Sequence, residues 1–146
     1  MDHLVLVDDE AKELDRLVAR HKTIIIRTAD EAMTPFREVA EGEELYFIST
    51  GRPGVVLGKA RVKSVLYAEH LDPEECIDLI NRFLMEMMLT EKQLFRCEGK
   101  PFVSLIRVED VTRIEPFQIL DKVAESMGNW KPVEDIKSVR KNIVVM

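Results

Sequence analysis

Cysteine and histidine are scarce in this chain, and their scarcity excludes the commonest metal and disulfide chemistries. Cys76 and Cys97 stand far apart, with no CxxC pattern and no histidine at ligand spacing. Neither a disulfide framework nor a zinc site is therefore expected, and both read as reduced thiols. His3, His21 and His70 fall in no nucleophile or metal pattern. There is no P-loop and no dinucleotide fingerprint, so no cofactor is expected. No apolar run approaches the ~20 residues that cross a bilayer, so no membrane partner is expected. MDHLVLVDDEAK has no positive leader and no plausible cleavage site, which leaves a secretory signal unexpected and a cytoplasmic location expected. An excess of positive charge is also lacking. The net charge of -6 argues against a protein that coats nucleic acid generically, so any polyanion site has to be a local patch.

What is present is an ordinary globular balance, 46% hydrophobic and 33% charged over 146 residues, which fits one domain spanning 1–146. HLVLV reads as a first strand, followed by a helix capped at Asp8 or Asp9 with Glu10 and Glu13 in its first turns. In HKTIIIRTA, three stiff isoleucines make a strand buried on both faces, with Lys22 and Arg27 at its ends. The segment from Ala29 to Glu41 reads as irregular around Pro35. Leu45 to Ile48 form another strand, and Pro53-Gly54 suits a type II turn in a hairpin loop spanning Thr50 to Gly54. Asp72, Pro73 and Glu75 start a helix that runs toward Met88, and Thr90 with Gln93 starts another. PFVSLIRVEDVTRIEPF is one long or broken strand with a bend near Asp110. The stretch around Trp130 reads as helical or irregular, and Val133 to Lys141 as a final helix. The sum is an α+β domain on a small, mixed, barrel-like sheet with flanking helices.

Charge is uneven along the chain. Residues 51–63 carry Arg52, Lys59, Arg61 and Lys63 without an acid. On a strand, Lys59, Arg61 and Lys63 alternate onto one face, where they can track phosphates or simply form a solvated face that discourages edge pairing. Trp130, in GNWKP, either stacks a base from a loop or plugs the end of the barrel. Acidic pairs such as Glu43-Glu44 look like turn residues. Spacing alone supports no enzyme.

Taken in order, several stretches resemble the PUA-like superfamily, particularly its ASCH and EVE branches. HKTIIIR is similar to the ASCH strand Gly-Lys-Lys-Thr-x-x-x-Arg, and EGEELYFIST with LGKARVKSV is similar to its paired strands. LTEKQLF and KPFVSLIRVEDVTRIEPFQI resemble the closing helix and returning strand. The order also resembles an archaeal domain family of unknown function in the same superfamily. The resemblance implies a small barrel that binds RNA or modified bases, with Lys22, Arg27, Ser49 and Thr50 lining a cleft beside it. On that expectation RNA or a modified nucleoside is the partner, Arg52, Lys59, Arg61 and Lys63 meet phosphate, and Trp130 stacks.

Some ASCH proteins are amidohydrolases of acetylated cytidine with a strand like Lys-Thr-x-Thr-x-Arg. The alternative is therefore a nucleoside hydrolase using Lys22 and Thr23 with a carboxylate such as Glu69 or Glu91. Ile25 stands where the second threonine would be, and it has no hydroxyl. A third reading takes FLMEMML, Phe83 to Leu89, as a helix apolar all round that is buried in the core or in a homodimer.

Overall fold

The computed structural model describes residues 1–142. Six strands, β1 (Asp2–Val7), β2 (Ile24–Ala29), β3 (Glu44–Ser49), β4 (Val55–Ala68), β5 (Phe102–Gln118) and β6 (Trp130–Val133), form one sheet in the order β2-β5-β4-β3-β1-β6. Only β1 and β3 pair in parallel; the other neighbours are antiparallel. The sheet curls into a half-barrel, with β2 and β6 as its two edges. The helices are α1 (Glu13–Val18), α2 (Pro73–Arg82), α3 (Leu84–Met87), α4 (Glu91–Cys97), α5 (Asp121–Glu125) and α6 (Ile136–Val139).

The isoleucine run explains itself by strand alternation. Ile25 points into the barrel with Phe47, Val62, Ile106 and Trp130. Ile24 and Ile26 point the other way, against Cys76, Ile80 and Met87 beneath α2 and α3. A strand covered on both faces cannot alternate with polar residues, which is why three isoleucines sit in a row. The hairpin between β3 and β4 turns at Gly54, whose φ of +75° is the value expected after Pro53. The β4–β5 ladder shifts register beside Asp110, which has φ +52°, so the expected bend is a bulge. Both expected capping boxes are present, Asp72 with Glu75 and Thr90 with Gln93.

Four local expectations change. The first helix starts late, at Glu13, with left-handed Lys12 before it and no side-chain cap. Asp8 instead accepts from the Ala11 N–H in the preceding turn. The helix expected to continue to Met88 breaks at Phe83, and only Leu84–Met87 resume it. The break lets the Glu86 carbonyl accept the Thr23 N–H at the entry to β2. FLMEMML is consequently split: Met87 is fully buried, whereas Met85 is 88% exposed. The segment around Trp130 is neither helix nor loop. It forms β6, antiparallel to β1, where Pro132 is tolerated because β6 is an edge. The final helix is a single turn, Ile136–Val139, capped by Asp135.

Candidate nucleic-acid cleft at the barrel seam

Curling brings the β2 edge close to β1 and β6 without a backbone ladder between them, and the Arg27 side chain spans the gap. From β2, one Arg27 Nη donates to the Ile26 carbonyl at 2.9 Å and the other to the Leu6 carbonyl on β1 at 2.6 Å. Its Cζ lies 5.6 Å from the centroid of Trp130 on β6, within cation–π range. The Arg27 Nε is buried without a hydrogen-bond partner. Burial pushes the guanidinium below its ordinary value, with Glu13 pulling it back, but an arginine stays charged.

Trp130 is itself held from below. Its Nε1–H donates to His3 Nδ1 at 3.1 Å, and His3 Nε2 lies 2.9 Å from Glu43 Oε1. Trp130 must use its donor on Nδ1, so the proton of a neutral His3 belongs on Nε2, facing Glu43. Burial alone would raise the Glu43 carboxyl. The hydrogen bonds from His3 and the Ala40 N–H outweigh it and hold the group below its usual value.

A cleft of about 260 Å³ opens at this seam. Leu6, Val7, Asp8, Glu13, Ile26, Arg27, Thr28, Thr50 and Asn129 line it. From α4 come Gln93, Arg96 and Cys97; Gln93 and Cys97 are one helical turn apart, so they share a face. Burial raises the Cys97 thiol above its ordinary value, so it lines the cleft as a neutral group. A smaller cavity of about 70 Å³ continues past Arg27, Thr28 and Asn129 toward Pro35 and Phe36. A larger cavity, about 450 Å³, lies on the far side of Leu6 and Thr50, walled by Ile48, Pro53, Ile119 and Met127. Its charged residues, Asp121 and Lys141, bond each other at 3.3 Å, so it lacks the convergent polar groups of the seam.

The residues singled out from the sequence fall in very different places. Arg27 and Thr50 line the cleft, as expected. Lys22 does not: it is 1% exposed, with its ammonium donating to the Met87 carbonyl and lying 3.4 Å from Glu13 Oε2. Desolvation lowers its pKa, and Glu13 only partly restores it. Thr23 lies beside Lys22 and faces a separate hollow near Val108. Ser49 is buried, bonding the Gly51 N–H and lying 3.4 Å from Asp9 Oδ1. Any side chain at Gly51 would meet that carboxylate, since an added Cβ lies 2.8 Å from it. Arg52 is exposed in the hairpin turn and does not line the cleft. Trp130 is a core residue, 4% exposed, so it supports Arg27 from beneath and cannot stack an incoming base.

Lys59, Arg61 and Lys63 do share an exposed face, with Ala60 and Val62 buried behind them. They stand on β4, two strands from the β2 edge in hydrogen-bonding order. Arg61 bonds Asp110 at 3.1 Å and sits between Glu44 and Glu109 in the ladders.

The proposed carboxylate partners of Lys22 also change. Glu69 pairs with Arg37, and Glu91 faces outward on α4. The carboxylate beside Lys22 is Glu13, which also accepts from the Asp8 N–H at 3.1 Å and lines the cleft. Glu13 read as an ordinary first-turn acid. Gln93 and Cys97 at i, i+4 were the available signal for the missed α4 wall.

No protein-family model matches the chain, and no curated protein matches it. Solved structures do. An ASCH protein from Zymomonas mobilis is 19% identical, with 91% of this chain and 83% of that one covered and a TM-score of 0.61. Two variants of that protein match equally well. The N-terminal domain of Staphylothermus marinus McrB is 12% identical, covering 94% of this chain and 90% of that one, with a TM-score of 0.55. The half-barrel and its helices therefore share the fold of these ASCH protein structures.

Proposed function

We propose that the seam cleft binds a single nucleobase, presented by RNA or as a modified nucleoside. The observation that carries this reading is the mixed polarity of a small cleft, lined by Arg27 and Arg96 and also by Asp8 and Glu13. A bare anion would meet the carboxylates as well as the arginines. A base edge presents donors and acceptors side by side, which is what a cleft lined by both guanidinium and carboxylate groups can satisfy. The cleft's volume suits one flat heterocycle, and the narrow extension toward Pro35 and Phe36 suits a small substituent on it. The family resemblance supports the same class of ligand, though fold alone does not set function.

Calorimetric titration with the four ribonucleosides and their N-methylated and N-acetylated forms tests the reading. At least one is expected to bind, and Asn129→Ala at the rim is expected to weaken it about tenfold, the worth of one lost hydrogen bond to a polar ligand. Absence of binding across the nucleosides and single-stranded RNA would sink it.

One observation favours a second reading. Glu13 lines the cleft with a buried ammonium behind it, so a hydrolase would use Glu13 as base and Lys22 to hold its charge. Release of acetate from N-acetylated nucleosides, abolished in Glu13→Gln, is the outcome that would replace binding by turnover.

A further inference from the structure

We propose that the free backbone edge of β2 at Thr28 reads the base in the cleft, so that the ligand must carry an N–H donor beside an acceptor. This rests on the base-binding reading of the cleft and narrows its class of ligand. β2 pairs only with β5, so one of its two edges has no ladder. The register decides which residues face that edge. The Val108 N–H donates to the Thr23 carbonyl at 3.0 Å, which makes Thr23 and Val108 a hydrogen-bonded pair. Such pairs alternate along an antiparallel ladder. Ile25 with Ile106, Arg27 with Ser104 and Ala29 with Phe102 are therefore the bonded pairs. Ile26 and Thr28 turn their N–H and C=O groups the other way, and the Arg27 guanidinium reaches the Ile26 carbonyl from that side.

Both residues line the cleft. Arg27 occupies the Ile26 carbonyl, whereas among the described residues the Thr28 N–H and C=O have no backbone partner outside β2. Thr28 thus presents a donor and an acceptor side by side, oriented by the ladder on either side of it. No charged group in the cleft offers both: an arginine only donates, and an ionised carboxylate only accepts. A base edge carries an acceptor next to an N–H, which matches one residue of a strand edge. An extended peptide is the usual occupant of a bare edge, lying about 4.8 Å beyond it. Here the Arg27 side chain already crosses that gap to the Leu6 carbonyl. The space left at Thr28 suits a flat heterocycle instead.

Amide exchange, read by NMR on the wild-type chain, tests the edge directly. Saturation with the nucleoside that binds best should shift the Thr28 amide and slow its exchange by about tenfold or more. Calorimetry then compares that nucleoside with the form in which every base N–H is replaced by N-methyl. The methylated form is expected to bind about tenfold more weakly, the scale of one lost hydrogen bond. Thr28→Pro removes the N–H from the protein side, which an edge strand tolerates because the ladder does not use it. A loss of about tenfold is expected there too. A methylated base that binds as tightly as its parent overturns the proposal, as does a Thr28 amide that neither shifts nor slows at saturation. So does full affinity in Thr28→Pro. Protection of Thr28 that grows with protein concentration and needs no nucleoside also overturns it, since the edge then pairs with a second copy. Wild type that binds no nucleoside at all overturns the base-binding reading itself.

Discussion

Lys22 and Arg27 on β2 and its approach, and Lys59, Arg61 and Lys63 on β4, are both sets of cations on rigid strands, yet the fold treats them oppositely. At the seam, each cation is desolvated and given fixed partners: a carboxylate and a carbonyl for Lys22, two carbonyls and an aromatic face for Arg27. On β4 the cations stand in water, and the one with a partner shares it across an exposed bulge. Burial makes a charge positional, because moving it would strand it without a partner; exposure makes it interchangeable. A recognition site needs the first kind, which is why the seam and not the stripe is the better candidate.

The sharpest way to break this contrast is to remove Glu13. Glu13→Ala leaves the Lys22 ammonium buried opposite a carbonyl alone, and loss of one partner from a buried pair costs about 3–5 kcal/mol. Arg61→Ala on the stripe should cost under about 1 kcal/mol. Urea unfolding of the two variants side by side measures the difference. Equal losses would show that the seam pair is no more structural than a surface one. The double variant Glu13→Leu with Lys22→Met should recover most of the loss, because removing both charges leaves nothing unpaired.

A smaller effect is expected from Arg27→Met, which takes away the tie between the β2 edge and β1. Hydrogen bonds from a charged donor are worth about 1.5–3 kcal/mol each, and the Leu6 bond is the one that crosses the seam. Stability should fall by about 2–3 kcal/mol on that basis. Amide exchange in β6, whose Trp130 rests against Arg27, should quicken more than exchange in β4. Uniform acceleration across the sheet would mean that Arg27 is not the seam's closure.

Alkaline pH probes the buried lysine without a change in fold. Burial lowers the Lys22 pKa, so between that lowered value and the ordinary 10.5 the unfolded chain binds more protons than the native one. Wild-type stability relative to Lys22→Met should therefore rise with pH through that window and level off above 10.5. Denaturation midpoints of the two proteins across pH 8 to 11 decide the sign; a wild type that loses ground to Lys22→Met would show that Glu13 outweighs desolvation.

The strands and capped helices were legible because their signals are local: the isoleucine run, Pro53-Gly54, and the spacing of Asp72 with Glu75 and Thr90 with Gln93. The site was legible only where one residue carries two roles. Arg27 follows the fully buried half of β2, where the strand comes out toward the seam. Glu13 gave no such sign, since an acid in a first helical turn looks the same whether it faces water or a buried lysine. What buries it is the approach of α1 to the start of β2. The strand around Trp130 was missed for a similar reason, although the alternative of a buried Trp130 holds. Gly128 and Asn129 beside it are turn signals, and its strand exists because β1 offers an edge at the other end of the chain.

The smallest effect concerns the stripe itself. Charge reversal at Lys59, Arg61 and Lys63 together should weaken decamer RNA binding at low ionic strength and leave it almost unchanged near physiological salt. The reason is distance and screening. The three side chains stand two strands from the β2 edge, and exposed charges beyond about 8 Å are largely screened at 0.15 M salt. Arg61 is further weakened as a phosphate contact by Asp110, Glu44 and Glu109 around it. The slope of log affinity against log salt should therefore flatten only slightly in the triple variant, by less than the roughly 0.7 per lost contact expected for single strands. A slope reduced by the full three contacts would restore the stripe as the phosphate track and make the seam a secondary pocket beside it.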